Sequence, residues 1–483
     1  MRPRSAGIVL LAALAASGCV EPRPSVLLIS IDSLRYDALF AEHDGLSVAP
    51  RLAGLARESV LYEHAVSPAP WTTPAMMSIL TGLPPLAHAV EEHDRTLAAG
   101  LETLAERFRS AGYRTAAYVP AVTLRSEFGF ARGFEQFDYE SFGHTRLSSP
   151  GLSGKVLHRI AGWSDEPFFI WVHLWDPHYN YNPPPTYDAA FRRGSRPASE
   201  QVQSLKWIEN AVTPEQAEYL QSQYEGEVLY TDRYVGEMLD AVAERGLDER
   251  LIVAVVADHG EAFLEHGWLG HTNRLDEVLV HVPLMIRWPA RLTPHRVTSV
   301  VSTAGLGATL LDLAGLDSEE FGSLNPLPLR DAPQPGQALS QTIRRGCLTS
   351  LNTGRFKYVL DHRGCEEALF DLSADPGEGT NLAEADNAGS RERVQQMRRA
   401  LAERIATAEA AASGARSLPA VSDEQMLEEL RALGYIVDGS LEETEKPTPD
   451  MSAAPAGVDS FGDVIGAPAC PPRGARGCLE RLE

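Results

Sequence analysis

Two short apolar runs, at residues 25–31 and 251–257, constrain this chain more than any other feature. Both are rich in branched residues and lack the alternation of a half-exposed strand, so each reads as a strand buried on both faces of a parallel sheet. Each run hands over an acid, Asp32 after the first and Asp258 after the second. Ligands of open α/β sheets gather at the carboxyl ends of strands, which makes both acids candidate site residues. A lone aspartate after a strand is as readily a helix cap or turn former. The pair Asp258-His259 is less easily read that way, because with Asp32 it supplies oxygen and imidazole donors suited to Ca, Mg, Mn or Zn.

The rest of the chain alternates in the same manner. Residues 101–112 have helical spacing and end at a glycine, and 113–119 read as the next strand. A further strand-like run at 168–173 opens into a Tyr/Asn/Pro-rich loop reaching Pro185, expected to wall part of a pocket. Residues 194–215 are polar and loop-like, and 216–245 form a long amphipathic helix. After Val297 come a helix and a small subdomain whose segments 355–359 and 368–372 alternate like antiparallel strands. Residues 390–412 read as a surface helix, and from about 438 apolar periodicity ends, as in a disordered tail. The expected class is therefore α/β: a doubly wound, mostly parallel sheet flanked by helices, with a small C-terminal antiparallel subdomain. The divisions expected are 1–19 for targeting, 24–300 for the core, 301–385 for its C-terminal part, 386–437 for a helical extension and 438–483 for the acidic tail.

With 483 residues and 44% hydrophobic content the chain can bury one large core and a smaller appended unit. At its start a basic stretch (Arg2, Arg4) precedes an apolar one at 7–16, and Ala16-Ser-Gly-Cys19 resembles a bacterial lipoprotein signal in which Cys19 becomes lipid-anchored. The alternative is an ordinary secretory signal with an incidental cysteine. Either reading expects an exported protein of the cell envelope. The four remaining cysteines fit that compartment, with Cys347–Cys365 and Cys470–Cys478 the pairs expected from proximity among three connectivities. A net charge of −23 disfavours nucleic acid and anionic lipid as partners. It limits substrate size more than chemistry, because a bound metal can still capture one small anionic ester. No internal repeat, glycine-rich phosphate loop or protein-partner motif is visible.

A resemblance ties these pieces together. I-D-S-L-R-Y-D at residues 31–37, T-x-P-A...S-I-L-T-G at 72–82, W-D-P-H at 175–178 and D-H-G-E at 258–261 resemble, in that order, the sulfatase branch of the alkaline phosphatase superfamily. So do E-H-G...G-H at 265–271, H-V-P-L at 281–284, and K-Y...L-F-D-L-x-x-D-P-G-E...N-L-A at 357–383. The likeness covers roughly residues 24–385. It implies the alkaline phosphatase-like fold, one divalent metal held by Asp32, Thr72, Asp258 and His259, and Thr72 as nucleophile. Sulfatases of this branch carry Cys or Ser followed by x-Pro-x-Arg, so that the nucleophile can be oxidised to formylglycine. Here Thr72 and Met76 stand at those positions, and a threonine gives no formylglycine. Ser33 stands where the family has a second acid, which points to a mononuclear site.

Other branches of the superfamily, the nucleotide pyrophosphatase/phosphodiesterases and the envelope phospho-group transferases, use an unmodified threonine before x-Pro. That favours Thr72 over its neighbour Thr73 and favours phosphate esters, monoesters or small diesters. Sulfate-ester hydrolysis without formylglycine, phospho-group transfer and a non-catalytic binding lipoprotein are the alternatives. His178 and His271 are expected to serve the leaving group, while His173, His266 and His281 are placed with packed or surface histidines. Asp176 is expected near substrate, although its spacing from His178 departs from the second-metal pattern of the diesterases. Arg35 contacts the anion or, equally, pairs with Asp37.

Overall fold

The computed structural model describes residues 23–432, apart from 142–146, 164, 198–211, 332–335, 345–346, 386, 412–416 and 421–422. The expected targeting segment with Cys19, the Cys470–Cys478 pair, the acidic tail and most of 194–215 lie outside the described residues. Among the described residues no helix is long and apolar enough to cross a membrane.

Eight strands form the main sheet: β1 (Ser25–Ile31), β2 (Val60–Tyr62), β3 (Arg114–Val119), β4 (Gln136–Tyr139), β5 (Phe168–Leu174), β6 (Leu251–Ala257), β7 (Leu284–Arg287) and β8 (His295–Val297). Their order across the sheet is β8-β2-β7-β6-β1-β5-β3-β4. β1 lies at the centre, parallel to β6 on one side and to β5 on the other, while β7 runs antiparallel to both β6 and β2. The branched runs become central strands because both faces of each are covered. Val26 and Leu28 enter one core cluster with Met76, Ile79 and Leu306, while Leu27, Ile29 and Ile31 enter another with Leu52, Val156, Leu220 and Val228. Each such side chain fully removed from water contributes about 1.5–3 kcal/mol.

The helices α1 (Pro50–Arg57), α4 (Ser149–Gly162) and α5 (Pro214–Glu244) cover the second face, whereas α2 (Thr72–Thr81) and α6 (Leu306–Leu313) cover the first, with the short α3 (Leu104–Ser110) preceding β3. All residues of α2 are buried, so it lacks a polar stripe and enters the interior along its whole length. Gly82, at φ 68°, ends it in the left-handed conformation that glycine adopts without a Cβ clash. The long helix α5 opens with a capping box, Thr213 and Gln216 exchanging side-chain and backbone bonds.

The C-terminal subdomain is a four-stranded antiparallel sheet of β9 (Ala338–Thr342), β10 (Leu348–Asn352), β11 (Phe356–Asp361) and β12 (Glu366–Asp371). Cys347 and Cys365 form a disulfide across it, the pair that proximity favoured. The helix α7 (Ala388–Ala411) is the surface helix expected, with one face covered. Its Val394, Met397, Leu401 and Ile405 recur every three or four residues and pack on Leu351, Tyr358, Leu360 and Leu369 of the sheet. A buried ion-pair cluster joins this unit to the core: Lys357 Nζ lies 3.0 Å from Glu277 Oε1 and 2.8 Å from Glu378 Oε1.

Candidate active site

Three neighbouring parallel strands deliver their carboxyl ends to one place. Asp32 follows β1, Asp258 follows β6, and His173 is the penultimate residue of β5. Ligand atoms of Asp32, His173 and Asp258 lie within 4.8 Å of one another, all buried. The buried α2 points its N-terminus at the same spot, so Thr72 Oγ1 sits 3.2 Å from Asp32 Oδ2 and 3.4 Å from His259 Nε2. Trp71, in extended conformation, occupies the cap position, and the Thr72 hydroxyl therefore faces the acids instead of capping its helix. Thr73 turns away, donating to Thr123 O at 2.8 Å.

The hydrogen-bond pattern decides which lone pairs converge. His259 Nδ1 lies 2.8 Å from Gly260 O, and a carbonyl only accepts, so Nδ1 carries the proton. Nε2 therefore faces the acids, 3.6 Å from Asp32 Oδ1 and 3.5 Å from Asp258 Oδ2. Asp258 Oδ1 accepts from Ser33 N and His259 N, while buried Asp258 Oδ2 has no hydrogen-bond partner. Carboxylate oxygens converging with an imidazole in a buried site suit a cation among them. Mixed oxygen and imidazole donors fit a divalent ion of the Mg, Mn, Ca or Zn type. Burial pushes Asp32 up to about 6, and burial followed by the neighbouring Asp32 pushes Asp258 up as well. A divalent cation would reverse both shifts.

Ser33, in the place of the family's second acid, is an orienting residue. Its hydroxyl donates to Asp32 Oδ1 at 2.9 Å and its N–H to Asp258 Oδ1 at 3.2 Å. Its backbone has φ 55°, a strained value for a serine, and Tyr224 of α5 holds it there by donating to Ser33 O and accepting from Arg35 N.

His271 and His178 stand beside this centre. The His271 ring lies 4.4 Å from that of His259 and 5.1 Å from that of His178, which itself stacks on Trp175 at 3.8 Å. His271 Nδ1 is 2.9 Å from Glu261 Oε1, and its buried Nε2 has no partner. Burial lowers His271 to about 3, so the ring is neutral, while burial pushes the Glu261 carboxyl up to about 8.

A sequence model of the family described as Sulfatase matches residues 24–316, from β1 through α6. The chain belongs to the sulfatase family. Choline-sulfatase of Rhizobium meliloti is 25% identical over 430 residues, covering 75% of this chain and 83% of that protein. Arylsulfatase K of Gallus gallus is 34% identical over a shorter stretch of 171 residues, 32% of this chain and 31% of that one. Among solved structures, the phosphonate monoester hydrolase of Agrobacterium radiobacter superposes with a TM-score of 0.67 at 22% identity, covering 79% of this chain and 96% of that one. The protein is thus an ester hydrolase of the sulfatase and alkaline phosphatase superfamily, with its mostly parallel sheet and separate antiparallel C-terminal sheet.

Within this sulfatase-family site, the two residues expected at the substrate, Arg35 and Asp176, have partners inside the protein. Arg35 forms a fork on Asp37, Nε to Oδ1 at 2.9 Å and Nη2 to Oδ2 at 2.6 Å, and its Nη1 engages Glu265 and Glu261 O. That is the pairing alternative, and it leaves the guanidinium braced inside the loop. Asp176 accepts from Ser148 N, Ser148 Oγ and Ser149 N, the first turn of α4, and so anchors the loop carrying His178. Two residues escaped the sequence reading. His173 Nε2 is 3.0 Å from Asp32 Oδ2, and Ser30 Oγ lies 2.8 Å from its Nδ1, so His173 orients Asp32 at the edge of the metal centre. Burial lowers His173 to about 4, which keeps it neutral. Its signal was strand register, since Ser30 and His173 are direct partners on β1 and β5. Glu261 was quoted only as part of D-H-G-E, and its bond to His271 joins residues ten apart through a tight turn.

Proposed function

We propose that this sulfatase-family hydrolase cleaves a phosphate monoester or small diester through a covalent intermediate on Thr72. The observation that carries this reading is the Thr72 hydroxyl, held at a buried helix N-terminus within hydrogen-bond reach of Asp32 and His259. A helix N-terminus favours an anion, and the proton of the attacking hydroxyl has an acceptor in Asp32 Oδ2. A divalent metal bound by Asp32, Thr72, Asp258 and His259 would neutralise a phosphoryl oxygen and lower the pKa of the threonine hydroxyl. Thr72 Oγ1 then forms a bond to phosphorus as the bond to the leaving alcohol breaks; the leaving oxygen takes a proton from His271 Nε2–H while Glu261, whose carboxyl is kept protonated by burial, passes its own to His271 Nδ1, with His178 flanking that path. Water attacking the phosphothreonine releases phosphate and restores the hydroxyl; an acceptor alcohol in its place gives transfer.

The named relatives support a second reading, hydrolysis of a sulfate ester. Against it stand Thr72 and Met76, which exclude the formylglycine route of the family. The fold itself is shared with a hydrolase named for phosphonate monoesters, so it accommodates phosphorus centres. The deciding experiment compares wild type with Thr72→Ala, loaded with Mn, Zn, Mg or Ca in turn, on nitrophenyl phosphate, bis-nitrophenyl phosphate and nitrophenyl sulfate. The expected result is a phosphoester preference that drops at least about a thousandfold in Thr72→Ala. Preference for the sulfate, or activity surviving the substitution, would overturn it.

A further inference from the structure

The first strand of the C-terminal sheet, β9, runs along the segment that leads into Thr72. Ser340 Oγ donates to Ser67 O at 2.6 Å and Gln341 N to Pro68 O at 2.9 Å. Thr342 Oγ1 donates to Thr272 O at 2.7 Å, one residue past His271, and Thr272 N donates to Pro70 O at 3.0 Å. Three distant segments are thus tied together at the rim of the site. Two residues beyond Thr342, the guanidinium of Arg344 sits over the indole of Trp71, its Cζ 4.2 Å from the ring centroid. Trp71 immediately precedes Thr72.

Glu92 takes the Nε and Nη2 side of the fork at 3.2 and 3.0 Å, and His93 Nδ1 lies 3.2 Å from Nη2. The Arg344 side chain is 13% exposed and that of Glu92 35%, so the cation is held while its resident anion remains open to exchange with solvent. A planar guanidinium stacked on an aromatic ring is already oriented, and it matches carboxylate, phosphate or sulfate through two parallel N–H bonds. The protein as a whole repels anions at a net charge of −23, so capture of a doubly anionic molecule requires a fixed local cation. Arg344 stacks one residue before the reacting threonine, beside the reaction centre and not on it.

We propose that Arg344 is a specificity-determining residue that reads a second anionic group, carried on an alcohol portion of the ester cleaved at Thr72. The substrate class is then a phosphate ester bearing a further carboxylate, phosphate or sulfate, with Glu92 marking where that group docks. This rests on the phosphoester reading only for the reacting end of the substrate.

The test uses two matched nitrophenyl phosphodiesters whose second alcohol is ethanol or glycolate, differing by one carboxylate. Wild-type full-length protein is expected to prefer the glycolate ester in kcat/KM by about tenfold or more, the scale of one charge-assisted contact. That preference should fall toward unity in Arg344→Ala, recover in part in Arg344→Lys, and rise in Glu92→Gln, which keeps the guanidinium and removes its competitor. A wild type without preference, or a preference that survives Arg344→Ala, overturns the proposal. Calorimetric binding of both esters to Thr72→Ala protein, with and without Arg344→Ala, separates the two readings. Arg344-dependent selectivity in binding without turnover by wild type sinks the phosphoester reaction and upholds the Arg344 assignment. Turnover with equal binding of the two esters does the reverse, and failure of both esters to bind overturns the assignment.

Discussion

His259 shows how a single backbone contact sets the chemistry of a side chain. Because Gly260 O accepts from Nδ1, the other nitrogen is the one turned to the centre between Asp32 and Asp258. Asp258 Oδ2 is buried and without a hydrogen-bond partner, so it is the oxygen most in need of a cation. Asp258→Ala is expected to abolish stoichiometric metal retention in elemental analysis of the purified protein. His173→Ala acts one step out, by releasing Asp32, and is expected to weaken metal affinity by about 10–100-fold in a chelator competition. Retention of full affinity by His173→Ala would show that Asp32 is positioned by Ser33 alone. Replacing Thr72 by Ser preserves the hydroxyl at the helix start and is expected to keep activity that Thr72→Ala lacks.

Among the elements, α5 does more than cover the sheet. Its Tyr224 braces the strained Ser33 turn, and about two turns of helix later Asp232 accepts from Arg51 N and Leu52 N at the start of α1. Burial pushes Asp232 up to about 6 despite those donors. A carboxyl whose folded pKa lies above its unfolded value of 3.8 leaves the folded chain holding the extra proton between roughly pH 4 and 6. Its contribution is therefore full below that window and declines as pH rises through it. Denaturant unfolding of wild type and Asp232→Asn across pH 4–7 is expected to show a difference that changes by at most about 3 kcal/mol, in the direction that disfavours wild type at higher pH. A constant difference would mean that Asp232 stays ionised throughout. The α7 helix makes a complementary point: its 3.6-residue apolar spacing was in the sequence, but which sheet that stripe meets was not.

For the whole molecule, the C-terminal sheet is locked to the catalytic core by Lys357, fully buried between Glu277 and Glu378. Burial alone would lower the lysine pKa, yet the two carboxylates overcome it and hold the ammonium charged. Lys357→Met leaves those carboxylates facing each other without a counterion. The expected cost is about 3–5 kcal/mol in denaturant unfolding, because one partner of a buried pair is removed and the other charges stay. A change under about 1 kcal/mol would show that water or a rotated arginine replaces the lysine. β9 belongs to this same sheet through its pairing with β10, and Arg344 follows it to a place beside Trp71.

The sequence alone determined the sheet, because branched runs buried on both faces have few other solutions, and it determined Asp32, Asp258, His259 and Thr72 as candidates, because strand ends and an ordered set of motifs are local signals. The structure brings these four to one centre. Only the tertiary structure decided the roles of His173, Glu261, Arg35 and Asp176, since each depends on a partner chosen by strand register, loop closure or helix packing rather than by neighbours in the chain. Arg344 is the extreme case: 272 positions beyond Thr72 by subtraction of their numbers, it comes to the site only because a separate sheet is pinned to the rim by backbone bonds. Periodicity and motif report what a segment buries or ends in; which distant segment meets it is a property of packing.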